Sequence, residues 1–182
     1  MEPFEYAQIG LPAPYFEMDS TKNLDTLDEI VSLTDYQGQW LILFFYPYDF
    51  SHVCPTEILA LSSRHEDIAA LNAQILGVST DSVYTHRAWI NTPQEENGIH
   101  GLKYPLASDP THQVSEAYGV LVQDEGVALR GLFIIDPQGI LQYSVIHNMD
   151  VGRSVDETLR VLEALQSGGM CGANWQPGDE LL

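Results

Sequence analysis

The sequence predicts an α/β fold in which a central mixed β-sheet is flanked by helices. Two apolar runs of strand length, 40–46 and 73–79, enclose a segment whose apolar residues recur at helical spacing. A strand, a helix and a second strand in that order form a βαβ unit, whose strands pair in parallel. Two further predicted strands, 131–135 and 140–146, are joined by Asp-Pro-Gln-Gly, a turn suited to an antiparallel hairpin. The sheet is therefore expected to contain both kinds of pairing.

Each predicted element follows from a local pattern. The run 40–46 is entirely apolar or aromatic, as in strands buried on both faces, and Pro47 ends it because proline cannot donate to a strand ladder. Ser82 is placed to cap a helix that Pro93 closes. The other predicted elements are, in chain order, a loop-rich segment (1–35), a helix (54–71), a polar loop (94–103), a short extended segment (104–106), a short helix (109–118), an acidic turn (123–129) and a final helix that starts at 153–154.

Length and charge limit the class of protein. A chain of 182 residues is expected to form one domain, 1–182, with a sizeable core. Its net charge of −19 disfavours binding to nucleic acid or to anionic membrane surfaces. The first twenty residues are acidic and lack an apolar run, unlike a signal peptide. The longest segment without charged residues, 36–48, is too short to cross a bilayer, which takes about 20 residues. We therefore expect a cytoplasmic protein.

Cys54 occupies the most informative position in the sequence. It lies where the strand 40–46 gives way to a helix, and Pro55 suits the first helical turn. The free amides and the positive dipole end of a helix N-terminus favour a thiolate, the reactive form of cysteine. That effect alone is too small to ionise most of a thiol whose ordinary pKa is about 8.5, so a second positive group is expected nearby. The alternative is a small buried cysteine that serves only in packing.

The segment 44–57, FFYPYDFSHVCPTE, resembles the active-site segment of the peroxiredoxins, with the pattern Pro-x-x-x-Thr/Ser-x-x-Cys at Pro47, Ser51 and Cys54. The resemblance implies a thioredoxin-like fold and a peroxidase in which Cys54 attacks a peroxide oxygen and becomes a sulfenic acid. It also implies that Pro47 shields the pocket. Ser51 stands where most members have threonine, so the hydroxyl is kept and a methyl group is lost.

A second segment, RGLFIID, resembles the family at Arg130 and supplies the expected positive group. The resemblance implies that Arg130 lies beside Cys54, where a guanidinium stabilises a thiolate and polarises the O–O bond. The alternative is a strand-edge arginine paired with an acid. By the same resemblance Glu57 pairs with Arg153, and Tyr46 lies near the site of disulfide formation. Each of these three could equally be structural.

Cys171 lies far along the chain, after the flexible sequence Ser-Gly-Gly-Met and within a tail, 167–182, that lacks apolar periodicity and is expected to be mobile. The tail resembles the Cys-Pro-x-x-Trp-x-Pro-Gly of typical two-cysteine peroxiredoxins, with Gly172 in place of proline. This implies that Cys171 is the resolving cysteine, which forms a disulfide with Cys54 of a partner chain. The unit would be a homodimer, commonly arranged as a decameric ring of five dimers. The alternative is a terminal thiol without a role.

The family resemblance implies a peroxidase that reduces hydrogen peroxide and alkyl hydroperoxides with electrons from a thioredoxin-like or AhpF-like disulfide reductant. No cofactor or metal is implied. His52 is a poor candidate for a zinc ligand because neither cysteine belongs to a Cys-x-x-Cys pair. The stretch SVYTHRAW also resembles the family, with mainly structural roles implied for His86 and Trp89. Two alternatives are a thioredoxin-like disulfide reductase, which the missing Cys-x-x-Cys disfavours, and a ring-forming chaperone or redox-signalling protein.

Overall fold

The computed structural model describes residues 6–182, so the first five residues of the predicted loop-rich segment lie outside the described chain. The strands are β1 (Glu17–Asp19), β2 (Ile30–Ser32), β3 (Trp40–Phe45), β4 (Ala73–Ser79), β5 (Leu106–Ser108), β6 (Leu121–Val122), β7 (Val127–Ala128), β8 (Arg130–Ile135) and β9 (Leu141–His147). The helices are α1 (Cys54–Ser63), α2 (His65–Ala70), α3 (Val83–Asn91), α4 (Gln113–Ala117) and α5 (Val155–Gln166), with 3₁₀ turns at Leu33–Tyr36 and Gln94–Glu96.

Five strands form the central sheet in the order β5-β4-β3-β8-β9. β3 pairs in parallel with β4, and β4 with β5. β8 pairs antiparallel with β3 on one side and with β9 on the other. The predicted mixed sheet flanked by helices is confirmed. The β8–β9 hairpin joins the βαβ unit of β3 and β4 where β8 pairs with β3.

Alternating side chains of β3 belong to the two halves of the core. Ile42 and Phe44 pack with Cys54 and the apolar sides of α1 and α5. Leu43 and Phe45 pack on the opposite face, in a cluster that also contains residues of the N-terminal segment. Because both faces of β3 are covered, the strand needs an uninterrupted apolar sequence, and its end is fixed in space beside α1.

The structure differs from the sequence-based expectations in four places. The helix predicted over 54–71 is two helices, α1 and α2, which meet at Arg64. The segment expected to be only loop contains the antiparallel pair β1–β2, and the acidic turn predicted over 123–129 is shorter, because residues 123–126 connect β6 to β7. Arg130 is the first residue of β8 and does not precede the strand. Within the described residues, no helix combines the length and apolar character needed to cross a membrane.

Candidate active site

Cys54 is the first residue of α1, as the sequence predicts, and its side chain is fully buried. β3 ends at Phe45, and eight residues separate it from the helix. Pro55 occupies the first turn, where its missing amide hydrogen is not needed. The preceding residue, Val53, makes no side-chain cap. The Thr56 and Glu57 backbone N–H groups donate to the Val53 carbonyl oxygen at 3.1 and 3.4 Å, so the stabilisation of negative charge near the sulfur comes from the positive end of the helix dipole.

Arg130 is the positive group next to Cys54. Its Nη1 lies 3.2 Å from Cys54 Sγ and also donates to Glu57 Oε2 at 2.9 Å. Its Nε donates to the carbonyl oxygen of Met149 at 2.6 Å. Arg130 is only 3% exposed, so these partners fix the guanidinium against the sulfur. An N–H donor carrying a full positive charge at this distance stabilises the thiolate more than the thiol.

Glu57 and Arg153 form the second part of the cluster. One helical turn from Cys54, the Glu57 carboxylate accepts from Nε and Nη2 of Arg153, each at 2.8 Å, and from the Arg153 backbone N–H at 2.7 Å. Arg153 Nη1 donates to the carbonyl oxygens of Phe45 at 2.8 Å and Gly131 at 2.6 Å. The first turn of α1 is thereby tied to the end of β3 and the start of β8. The structure thus brings four predicted site residues together: Cys54, Glu57, Arg130 and Arg153.

Glu57 is ionised in this cluster. Burial acts to raise its pKa, but the hydrogen bonds and charge of Arg153, joined by the charge of Arg130, outweigh burial and hold the pKa of Glu57 below its ordinary value. A carboxylate with a lowered pKa in the folded state stabilises the fold above its unfolded pKa of about 4.3. That stabilisation is lost as the pH falls through the folded-state pKa.

Replacing Glu57 by glutamine is expected to lower the free energy of unfolding by about 3 kcal/mol at pH 7, because two buried guanidinium groups lose their shared carboxylate. The difference between wild type and Glu57→Gln is expected to shrink as the pH falls below the unfolded-state pKa of about 4.3, and to be lost once the pH has fallen through the lowered folded-state pKa of Glu57. Urea unfolding at pH 7, 5 and 3.5 measures both effects. Glu66→Gln, at a side chain that is 88% exposed, is the matched control. A difference that stays constant over this pH range would contradict the assignment.

Three other predicted residues lie in the loop before Cys54. Pro47 is buried. Ser51 is half-buried, and its hydroxyl donates to the Tyr48 carbonyl oxygen at 2.9 Å, which leaves the Ser51 oxygen lone pairs available as acceptors. The Tyr46 hydroxyl is buried and donates to Asp49 Oδ1 at 2.7 Å. The roles that the family resemblance implies for these residues stay predictions.

Sequence reasoning gave His86 and Trp89 mainly structural roles, but it did not predict that they support this loop, and it missed Asn97. Asn97 donates its side-chain amide to the carbonyl oxygens of Phe50 and Ser51, at 3.3 and 3.2 Å. The backbone carbonyl of Asn97 in turn accepts from Trp89 Nε1 at 2.8 Å. Asp49 pairs with His86 at 2.6 Å. The available signal was Asp49, the one acidic residue in the loop 46–53, but nothing local in the sequence identifies its partner.

Cys171 lies at the other end of α5 from this cluster. Its Sγ is 3.4 Å from Ser167 Oγ and 3.7 Å from the carbonyl oxygen of Ala164, in the last turn of the helix. The Glu57 contact with Arg153 is just before the first turn, and a helix of 12 residues is about 18 Å long. The structure therefore does not bring Cys54 and Cys171 of one chain together, and both are free thiols.

The tail 167–182 forms neither a helix nor a strand, but it contacts α5. Arg160 donates from Nη1 to the carbonyl oxygen of Trp175 at 2.8 Å, and the Trp175 side chain is buried. Arg160 is itself held by two hydrogen bonds to Glu157. These contacts mark where the tail attaches, and its mobility stays a prediction.

His52, the candidate metal ligand considered from the sequence, is exposed in the loop before Cys54. Among residues 6–182, no group of three or more His, Cys, Asp or Glu side chains is arranged to hold a metal ion. The chemistry that this site offers on its own residues is that of a buried thiol beside a fixed guanidinium.

Comparisons with known proteins agree with this geometry. Residues 9–144 match the AhpC/TSA family. The chain is 54% identical over 176 residues to the putative peroxiredoxin YkuU of Bacillus subtilis, covering 96% of this chain and 97% of that protein. It is 50% identical to peroxiredoxin-2 of Macaca fascicularis, covering 97% and 90% of the two chains.

The same relationship holds for the three-dimensional structure. The reduced 2-Cys peroxiredoxin of Plasmodium vivax superposes with a TM-score of 0.90 at 41% sequence identity, over 95% of this chain and 91% of that one. The central sheet and helices described above are thus those of the thioredoxin-fold peroxiredoxins. The chain belongs to the AhpC/TSA family and is a peroxiredoxin, an oxidoreductase of the peroxidase type.

Proposed function

We propose that the protein reduces hydrogen peroxide and alkyl hydroperoxides at Cys54, and that a second copy of the chain resolves the oxidised cysteine. The observation that carries the first step is the 3.2 Å contact between Arg130 Nη1 and the buried Cys54 Sγ at the start of α1. A peroxidase needs a thiolate together with a donor for the charge that develops on oxygen. From one fixed position, Arg130 can stabilise the thiolate and donate a hydrogen bond to the oxygen that gains charge.

In the first step the Cys54 thiolate attacks one peroxide oxygen. An S–O bond forms as the O–O bond breaks, the sulfur is oxidised to a sulfenic acid, and the leaving oxygen takes a proton to become water or an alcohol. Arg130, the Ser51 hydroxyl and the Cys54 backbone amide hold the peroxide, and Pro47 shields it from solvent. The free lone pairs on Ser51 and the buried position of Pro47 support this assignment.

In the second step the Cys171 thiol of a partner chain attacks the Cys54 sulfenic acid. An S–S bond forms and water leaves. The supporting observation is the separation of the two cysteines of one chain by the length of α5. Only a cysteine from another copy, or a large rearrangement, could reach Cys54, and a twofold dimer places two such pairs symmetrically.

The edge strand β9 supports a homodimer. It ends the central sheet, and residues 10–12 bond only its start, at Leu141, while β8 is the sheet neighbour of the whole strand within the described chain. Ile146 is 44% exposed on this strand, and Val151, shortly after it, is 57% exposed. Pairing of two β9 edges would cover these apolar groups and the open strand edge together. Five such dimers in a decameric ring is the higher assembly we propose.

A dithiol reductant completes the cycle. A thioredoxin-like or AhpF-like protein would reduce the Cys54–Cys171 disulfide to two thiols while its own dithiol becomes a disulfide, so that electrons and protons balance. The cytoplasm is the proposed compartment, because reducing conditions there maintain such a donor.

Peroxide treatment followed by non-reducing electrophoresis tests the proposal, with wild type, Cys54→Ser and Cys171→Ser compared side by side. We expect a covalent dimer that forms in wild type, disappears with dithiothreitol, and is absent from both variants. Consumption of peroxide in the presence of a dithiol should be lost in Cys54→Ser. A wild type that becomes oxidised but stays monomeric would refute resolution by a partner chain, and a Cys54→Ser variant that still consumes peroxide would refute the role of Cys54.

A further inference from the structure

The loop that connects β3 to Cys54 contains a backbone conformation that needs support. Phe50 has a φ of +57°, in the left-handed region that bulky side chains seldom adopt. Its ring packs on Trp89 with centroids 5.8 Å apart, but Phe50 is still 44% exposed. Ser51, the next residue, is one of those proposed to hold the peroxide. The position of the Ser51 hydroxyl therefore depends on what fixes this part of the loop.

The Asn97 side chain, from the turn after α3, contacts this part of the loop. Its amide nitrogen Nδ2 lies 3.3 Å from the carbonyl oxygen of Phe50 and 3.2 Å from that of Ser51. Carbonyl oxygens only accept hydrogen bonds, and the amide nitrogen carries two hydrogens, so each carbonyl receives one. The opposite orientation of the amide would place its oxygen against two acceptors. One side chain thus holds two consecutive carbonyl groups shortly before Cys54.

The turn that contains Asn97 is itself fixed to α3. Asn97 has a φ of +63°, a left-handed conformation that asparagine adopts more readily than most residues. Its carbonyl oxygen accepts from Trp89 Nε1 at 2.8 Å. The next residue, Gly98, donates its N–H to the Pro93 carbonyl oxygen at 2.9 Å, and a Cβ on Gly98 would lie 1.8 Å from the Thr92 carbonyl oxygen. The turn is therefore a rigid support, and the direction of the Asn97 amide does not depend on the loop.

The proposed reaction needs two arrangements of the loop. In the closed arrangement described here Cys54 is fully buried, so its sulfenic acid has to become accessible before a partner chain can form the disulfide. Glu57 is held by two arginines, which leaves the residues before it to move, a stretch that contains the Phe50 and Ser51 carbonyl groups. The Asn97 hydrogen bonds oppose this movement. They lie near the protein surface and at the long end of the usual range, so they can be broken.

We propose that Asn97 is a positioning residue that acts through the Phe50 and Ser51 carbonyl groups. It holds the loop in the closed arrangement for the reaction with peroxide and releases it for disulfide formation. These two kinetic consequences rest on the proposed function. The restraint on the loop does not, because it follows from the contacts of the reduced protein.

Two substitutions of Asn97 alter the contact with the loop and keep the turn. Asn97→Gly removes the amide, while glycine adopts a positive φ readily and the hydrogen bond from Trp89 Nε1 goes to the backbone. Because Asn97 is exposed, this change leaves no buried cavity. Asn97→Asp keeps the shape but directs a carboxylate oxygen at two carbonyl oxygens, so the contact becomes repulsive at pH 7.

Asn72→Gly is the matched control. Asn72 is also exposed and has a positive φ, +53°, and its side-chain amide also donates to a backbone carbonyl oxygen, that of Gly38, at 3.1 Å. It directly precedes β4, which is parallel to β3, so it lies at the end of the sheet away from Cys54. The control therefore removes the same kind of side chain without touching the loop.

Stopped-flow tryptophan fluorescence after mixing with hydrogen peroxide measures both steps, because oxidation depends on the peroxide concentration and disulfide formation within a dimer does not. In Asn97→Gly we expect the second-order rate constant for Cys54 oxidation to fall by about threefold or more, since Ser51 is less accurately placed. The first-order rate constant for disulfide formation should rise by about fivefold, since two weak hydrogen bonds no longer oppose opening. Both changes should be larger in Asn97→Asp, and Asn72→Gly should have the rate constants of wild type.

The two rate constants decide separate parts of the proposal. An oxidation rate constant of Asn97→Gly equal to that of wild type would overturn the positioning role. A rate constant for disulfide formation that is unchanged or lower would overturn the release step. The same changes in Asn72→Gly would overturn the assignment to Asn97, because the loss of any such hydrogen bond would then be sufficient.

Hydrogen exchange of the reduced protein tests the restraint without peroxide. The backbone amides of residues 50–54 should exchange about fivefold faster in Asn97→Gly than in wild type, and at the wild-type rate in Asn72→Gly. Equal exchange in Asn97→Gly and wild type would overturn the restraint. If wild type itself fails to react with peroxide, the proposed function fails, while hydrogen exchange still decides whether Asn97 holds the loop.

Discussion

Replacing Arg130 by glutamine is expected to slow the reaction of Cys54 with hydrogen peroxide by about 100- to 1,000-fold, the usual cost of removing one preorganised donor to developing charge. The guanidinium Nη1 is 3.2 Å from the sulfur, and Arg130 is held by Glu57 and Met149. Glutamine is shorter and uncharged, so it neither stabilises the thiolate nor follows the charge onto the leaving oxygen. Stopped-flow measurement of Cys54 oxidation in a single turnover gives the rate.

Arg64→Gln is the matched control for this prediction, because Arg64 is partly exposed and pairs with Asp67 and Asp156 on the surface. Its rate constant should equal that of wild type. Arg130→Lys keeps the charge but loses the fork that binds two partners, so an intermediate rate is expected. A rate for Arg130→Gln within threefold of wild type, in a variant with native circular dichroism, would contradict the role assigned to this arginine.

Replacing Arg153 by methionine is expected to lower the free energy of unfolding by about 3–5 kcal/mol, as when one partner of a buried ion pair is removed. Arg153 provides three of the hydrogen bonds to the Glu57 carboxylate. Only the backbone one would remain. The carbonyl groups of Phe45 and Gly131 would each lose a charged donor inside the protein. Urea unfolding monitored by tryptophan fluorescence measures the change.

Arg160→Met is the control for the Arg153 variant. Arg160, whose side chain is 24% exposed, pairs with Glu157 and donates one hydrogen bond to the Trp175 carbonyl oxygen, and a partly exposed pair of this kind contributes about 1 kcal/mol or less. Equal destabilisation in the two variants would contradict the view that burial and the number of hydrogen bonds distinguish Arg153.

The parts of the fold that were predicted from the sequence are those with a local signal. β3 and β4 are continuous apolar runs, and the start of α1 follows from the proline after Cys54. The break at Arg64 lacks a glycine or proline to mark it. The β1–β2 pair was missed because each strand has only three residues, and its stability comes from packing of Met18 and Val31 on the core.

The site residues also fall into those with a local signal in the sequence and those without one. Position at a helix start and the need for a nearby cation were inferred from Cys54 itself, but the choice of Arg130 came from resemblance to a family, since no local pattern connects the two residues. The Asp49–His86 pair, separated by 37 residues, was not predicted at all. Contacts between side chains brought together by the sheet depend on the register of strands and the angle of helices, and these leave no periodic trace in the sequence.

The contacts of Arg153 have a consequence for how the pocket moves. These contacts link one wall of the pocket to the end of β3 and the start of β8. That wall is therefore as rigid as the central sheet. Val53, which precedes Cys54, makes no side-chain cap, whereas Glu57 in the following turn is held by Arg153. When the oxidised sulfur leaves to meet a second chain, we expect the residues before Glu57 to move outward while Glu57, Arg130 and Arg153 keep their positions. After reduction, the Cys54 thiol would then return to a site whose arginine side chains have not moved.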